Sequence, residues 1–198
     1  MILTLATQNA GKLRELEALI APAALPISVR SLAQAGMTEQ AEEVGHTFGQ
    51  NALLKASWAA RRVAGWALAD DSGLCVDALG GAPGIHSARW SGQGDPGNNA
   101  LLLEKLAGVP LPQRGARYRC SLALCDPSGE ALLVEAEVVG RITEAPRGSG
   151  GFGYDPLFEI PAWGRTFAEV DLARKESVSH RAVAFRKLLP LLAILARS

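Results

Sequence analysis

Two acids stand side by side at Asp70-Asp71, after a short apolar run (residues 66–69) and before Ser72-Gly73. Adjacent carboxylates at the end of a buried strand repel each other and resist desolvation. A divalent cation resolves that conflict, and Mg²⁺ suits it: few carboxylates, retained waters, room for phosphate oxygens. The same residues also suit a solvated turn in which Asp caps Ser72-Gly73. A second acidic pair, Glu42-Glu43, lies in a polar stretch (residues 36–45) and supplies either a further loop ligand for Mg²⁺ or a solvated turn. Asn51 and Lys55 are four apart, so on a helix they share one face.

Anion chemistry is suggested by Thr7-Gln8-Asn9-Ala10-Gly11-Lys12, which joins an apolar run to a helical pattern. Free N–H groups and the positive dipole end of a helix attract anions, and Lys12 adds a formal charge. The segment lacks the glycines of a P-loop. Gly150-Gly151-Phe152-Gly153-Tyr154-Asp155-Pro156 allows close backbone approach to a ligand. Phe152 could stack on a flat base and Asp155 accept from a base N–H; the same residues suit a tight turn with a buried aromatic plug. Lys175, followed by Ser179-His180-Arg181 at a helix start, offers hydrogen-bond donors that would favour a purine bearing carbonyls, or else is a helix N-terminus with solvent charges.

The elements that must hold these groups follow from periodicity. Residues 2–6 read as a buried strand, residues 10–20 as a helix capped by Asn9, and residues 27–32 as a second strand. Thr47 opens a long helical pattern through Val63. Residues 66–69 form a strand ending at the acidic pair, where ligands sit in α/β sheets. Residues 80–98, rich in Gly, Pro and Ser, read largely as loop before a helix over 100–106. Residues 117–125 and 131–142 pair around the turn sequence Asp126-Pro127-Ser128-Gly129. Residues 166–170 read as short and extended, and residues 180–195 as a last amphipathic helix. Strands alternating with helices, plus a hairpin, predict an α/β domain with a mixed sheet.

Bulk properties narrow the classes. At 198 residues the chain has room for one domain with a sizeable core. Lys plus Arg and Asp plus Glu both number 20, which argues against a basic nucleic-acid binder. Three cysteines (Cys75, Cys120, Cys125) without zinc spacing argue for reduced thiols and a reducing cytoplasm. There is no signal-peptide pattern, and no apolar run is long enough for a membrane span.

In this order the stretches resemble the inosine triphosphate pyrophosphatase family, also called XTP/dITP diphosphatases. They are residues 6–12, Asn51-Ala52-Leu53-Leu54-Lys55-Ala56, Ala69-Asp70-Asp71-Ser72-Gly73-Leu74, residues 80–85 with Ser87-Ala88-Arg89, residues 150–156 and Ser179-His180-Arg181. The similarity covers essentially the whole chain. It implies one domain over 1–198: an α/β fold with a mixed, elongated central sheet flanked by helices, in two lobes with a cleft between them. It implies hydrolysis of ITP, dITP and XTP to the monophosphate and pyrophosphate, Mg²⁺ as cofactor, a cytoplasmic homodimer, and no nucleic-acid or membrane partner. On this chain, Thr7, Gln8, Asn9, Ala10, Gly11 and Lys12 would bind the triphosphate, with Lys55 close by. Glu42 and Asp71 would hold Mg²⁺, Asp71 would accept a proton from water, and Ser72 would touch substrate. Phe152, Gly153, Tyr154, Asp155, Lys175, His180 and Arg181 would form the base pocket. The chain departs from the family at Gln8, where many relatives have Gly, at Gln50, where Glu is usual, and at His86 and Trp90, where Tyr is frequent. The Maf-type pyrophosphatases and a silent nucleotide-binding protein remain as rival expectations.

Overall fold

The computed structural model describes residues 1–197. Its main elements are β1 (Ile2–Leu5), α1 (Ala10–Ile20), β2 (Ser28–Ser31), α2 (Phe48–Val63), β3 (Trp66–Val76), α3 (Gly94–Lys105), β4 (Gly115–Cys125), β5 (Ala131–Ile142), β6 (Phe158–Ile160), β7 (Arg165–Thr166), α4 (Leu172–Val178) and α5 (His180–Leu195). The strands form one seven-stranded sheet in the order β2-β1-β3-β4-β5-β6-β7. β1 is parallel to both β2 and β3, whereas β5–β6 and β6–β7 are antiparallel. The sheet is therefore mixed, as the alternation of strands and helices predicts.

Local chemistry sets the helix starts. Asn9 caps α1 by accepting from the Lys12 N–H, and Thr47 caps α2 by accepting from the Gln50 N–H. The hairpin β4–β5 closes on Asp126, whose backbone N–H reaches Glu130 O while its Oδ1 accepts from the Gly129 and Glu130 amides.

The chain forms two compact units. The first contains Met1–Asp71, Cys120–Ala136 and the chain from Arg181 onward; the second contains Ser72–Arg119 and Glu137–His180. In the first unit, Leu3, Leu5, Leu68 and Leu122 pack with Leu16 of α1 and Phe185, Leu188 and Leu192 of α5. A separate cluster is built almost wholly of alanine. Ala52, Ala56, Ala59 and Ala60 of α2 meet Ala67, Ala69 and Ala123 of the sheet, and small side chains let helix and sheet approach closely. The second unit has its own aromatic core around Tyr118, Tyr154, Phe158 and Phe167, with Leu74, Val76, Leu102 and Leu106.

Three elements differ from expectation. β3 does not end at the acidic pair but runs on to Val76. Gly73 sits inside the strand because a 3₁₀ turn (Gly84–Arg89) presses on it; a Cβ there would lie 2.6 Å from the Gly84 carbonyl and 2.4 Å from Ser87 Oγ. α3 begins at Gly94, inside the stretch read as loop. Its Pro96 is tolerated because first-turn N–H groups have no helical partner in any case. β7 is only two residues long and gives way to a 3₁₀ turn (Phe167–Glu169) fixed by a capping box between Thr166 and Glu169. Among the described residues no helix is long and apolar enough to cross a membrane.

Candidate active site

Because β3 is extended through Asp70 and Asp71, the two carboxylates point to opposite faces of the sheet. Leu68 and Asp70 share the face packed by α1 and α5, while Ala67, Ala69 and Asp71 share the face packed by α2. The expected clash between neighbouring acids is thus relieved by the pleat. The register Leu5↔Leu68 also ends β1 just short of Asp70. The strand terminus beside the acids is therefore that of β1, from which residues 7–9 lead into α1.

Asp70 is fully enclosed. It receives Lys12 Nζ at 2.6 Å, Arg181 Nε at 3.0 Å and the Cys120 thiol at 3.1 Å. Arg181 in turn pairs with Glu15, so two cations and two carboxylates balance inside the first unit. Burial alone would raise the Asp70 pKa; Arg181 and then Lys12 outweigh it and hold the group well below the usual carboxylate range. The Cys120 thiol is pushed up, by burial first and by Asp70 second.

Asp71 lives differently. Its Oδ1 takes Lys55 Nζ at 2.8 Å, and the same ammonium takes Glu43 at 2.8 Å. Its Oδ2 is buried with no hydrogen-bond partner among the described residues. Burial raises the Asp71 pKa, and Lys55 and Lys12 only partly offset it, leaving the group above its ordinary value. Burial works against the Lys55 charge, but Asp71 and Glu43 overcome it and raise that pKa. An orphaned carboxylate oxygen beside a second acid fits a divalent cation that takes few protein ligands and keeps its waters. No group of three or more His, Cys, Asp or Glu side chains with metal-holding geometry occurs among the described residues.

Glu42, expected as the metal ligand, is exposed; its neighbour Glu43 makes the contact to Lys55. In a loop the two adjacent acids are indistinguishable by pattern, and only the backbone path decides between them. Asn51 is buried, and its Oδ1 accepts the Gly45 N–H at 2.8 Å, which ties that loop to α2 one turn before Lys55. Around the β1–α1 junction, Gln8, Asn9 and Ala10 are exposed, Thr7 and Lys12 half-buried and Gly11 buried. Gln8 Nε2 donates to Thr38 O at 3.1 Å, so that side chain braces the acidic loop.

The second unit gathers the remaining expected residues. Asp155 accepts from Lys175 Nζ at 2.6 Å and from the Phe152 N–H at 2.9 Å, with the Tyr118 hydroxyl at 3.5 Å. Lys175 Nζ stands 5.0 Å from the Phe152 ring centre. His180 stacks on Tyr118, with ring centres 4.8 Å apart and planes 6° from parallel. Ser72 is half-buried in β3. Tyr154 donates its hydroxyl to Ser87 O at 2.9 Å from within the core, and burial, then Asp95, raises its pKa. Its side chain is structural here, where a base contact was expected.

Arg181 also departs from the base-pocket expectation. The residue is 1% exposed, and its guanidinium is bound to Asp70 and Glu15 in the first unit. A buried guanidinium needs carboxylates around it, and the start of α5 places it among them. Sequence reasoning missed Glu15 and Tyr118, and of the pair Glu42-Glu43 it assigned the metal to Glu42. Glu15 carried one signal: it lies on the core side of the α1 pattern with Gly11, where an acid requires a partner.

A mixed α/β sheet with lysines and a desolvated aspartate beside a strand terminus defines a protein built for polyphosphate chemistry. The chain belongs to the Ham1 family, whose model matches residues 3–191. It is 50% identical over 188 residues to the dITP/XTP pyrophosphatase of Geobacillus kaustophilus, covering 94% of this chain and 91% of that one. Among solved structures, it resembles a HAM1 protein from Coxiella burnetii at 37% identity and a TM-score of 0.87, covering 97% of this chain and 98% of that one. It also resembles a nucleoside-triphosphatase, or dITP/XTP pyrophosphatase, from Mycobacterium abscessus at 41% identity and a TM-score of 0.77, covering 96% and 100% of the two chains.

Proposed function

We propose that this chain hydrolyses the non-standard purine nucleoside triphosphates ITP, dITP and XTP to the monophosphate and pyrophosphate, clearing them from the nucleotide pool. The observation that carries it is the geometry of Asp71: buried, tied to Lys55 through one oxygen and, among the described residues, unpartnered at the other.

A triphosphate resists attack by water because its own charge repels the nucleophile. Lys12 and Lys55 offset charge that shifts onto the leaving pyrophosphate. Asp71 orients the attacking water and takes its proton, an effect worth about 10²–10⁴-fold. Asp71 and Glu43 would hold Mg²⁺, which when bound supplies Lewis-acid neutralisation of phosphate oxygens. Asp70 takes no proton in this scheme; it fixes Lys12.

Base recognition falls to the second unit. Phe152 stacks on the purine, and Lys175 and His180 meet the C6 carbonyl. Against adenine those donors would go unpaired, at about 1–3 kcal/mol each. Residues 1–198 act as one catalytic domain. It works in the cytoplasm, consistent with three free cysteines, and as a homodimer.

The test is pyrophosphate release with Mg²⁺ across ITP, XTP, GTP, UTP and TTP. Turnover should favour ITP and XTP. Preference for UTP or TTP would replace this function with that of a Maf-type enzyme, and no release from any substrate would leave a binding protein.

A further inference from the structure

The loop that carries Phe152 and Asp155 is gripped from α3, by two residues that no part of the proposed chemistry uses. The Gly153 N–H donates to Asp95 Oδ2 at 2.6 Å, and Asn99 Nδ2 donates to Gly153 O at 2.9 Å. Asp95 and Asn99 are four apart in α3 and lie on one face. Together they hold both polar groups of a single residue. Asn99 Nδ2 also donates to Asp95 O at 3.0 Å, so its amide faces two carbonyl oxygens and its orientation is fixed. Gly153 has φ of 63°, a left-handed conformation that glycine adopts without strain. Its backbone is therefore free to present N–H and C=O to the two side chains at once.

The consequence reaches the flanking residues. On one side, the Phe152 N–H donates to Asp155 Oδ2, the oxygen that also binds Lys175. On the other, Tyr154 is anchored to Ser87. Elsewhere the loop is pinned by Gly150 N–H to Ala168 O at 3.0 Å. Without the α3 grip, the turn across Gly153 keeps the Asp155 N–H to Phe152 O bond at 3.3 Å, and the Gly153 peptide itself regains its glycine freedom.

We propose that Asp95 and Asn99 are positioning residues for base recognition: they lock Gly153 so that Phe152 and the Asp155–Lys175 pair hold one geometry toward a purine. This deepens the function proposed above and rests on its assignment of residues 152–155 to the base.

The experiment compares Asp95→Ala, Asn99→Ala, Asp95→Asn and Phe152→Ala in steady-state hydrolysis of ITP. It adds the inhibition constant of inorganic tripolyphosphate, which has no base. Asp95→Ala and Asn99→Ala should each raise KM for ITP by about tenfold, as loss of a charge-assisted or part-buried hydrogen bond implies. In both, kcat should stay within about threefold and the tripolyphosphate constant should not change. Asp95→Asn keeps an acceptor oxygen and should restore KM. If Phe152→Ala raises KM and the α3 variants do not, the grip has no role in recognition. Equal loss of kcat, or an equally weakened tripolyphosphate constant, overturns the proposal as well, because the residues then serve general folding. If Phe152→Ala itself leaves KM unchanged, the base assignment fails and the positioning role falls with it.

Discussion

The two faces of β3 treat neighbouring, chemically identical groups in opposite ways. On the α1–α5 face, Asp70 is over-supplied with donors: Lys12, Arg181 and Cys120 all converge on it, and its charge is locked on. On the α2 face, Asp71 shares one ammonium with Glu43, keeps an oxygen without a partner among the described residues and has a raised pKa. The first arrangement suits a support that never changes state, and the second a group that gains and loses partners in a reaction. The lesson is that a role follows from the number of buried donors, not from the residue type.

The sharpest way to break this contrast is to neutralise each acid in turn. Asp71→Asn should lower kcat by about 10²–10⁴-fold with no loss of thermal stability, since it removes a desolvated charge. A pyrophosphate-release assay beside a melting curve checks both halves. Asp70→Asn should instead destabilise the fold by about 3–5 kcal/mol, because Lys12 and Arg181 lose a buried counter-charge. Denaturant unfolding measures it. The pH sign follows from the depressed folded pKa: the Asp70 contribution is present above the ordinary value of 3.8 and is lost as pH falls through the folded value. The gap between wild type and Asp70→Asn should therefore be widest near neutrality and shrink below about pH 4.

Smaller effects sharpen the picture. Glu43→Gln should raise the Mg²⁺ concentration for half-activation by about tenfold, whereas Glu42→Gln should shift it less than about twofold. The reverse ranking in a metal titration would return the ligand role to Glu42. Cys120→Ala should change unfolding free energy by only about 1 kcal/mol, because a thiol is a weak donor and Asp70 keeps both cations. A loss as large as that of Asp70→Asn would show that the thiol is an essential part of the network.

Much of this was legible in the chain. The helices α1, α2 and α5, the β4–β5 hairpin and the caps at Asn9 and Thr47 follow from apolar spacing and short-range hydrogen bonds. Less legible were features set by distant residues. Ser72-Gly73 has the local chemistry of a turn, yet Gly73 is there to let a remote 3₁₀ turn approach a strand. Arg181 reads as a donor for a base, and only the fold shows that Asp70 and Glu15 enclose it. The start of α3 hid in a Gly/Pro-rich segment, and with it the grip of Asp95 and Asn99 on Gly153.

The extended conformation of β3 through its acids has a further cost in misfolding terms. A slip of one residue in its pairing with β1 would exchange the two carboxylates between faces, as it would every side chain of the strand. Asp71 would then meet Lys12 and Arg181, and Asp70 would face Lys55 and Glu43. Ala67 and Ala69 would enter the leucine cluster while Leu68 collided with α2. The strand is thus protected against slippage twice, by the volume of its apolar residues and by the sign and number of charges waiting on each side.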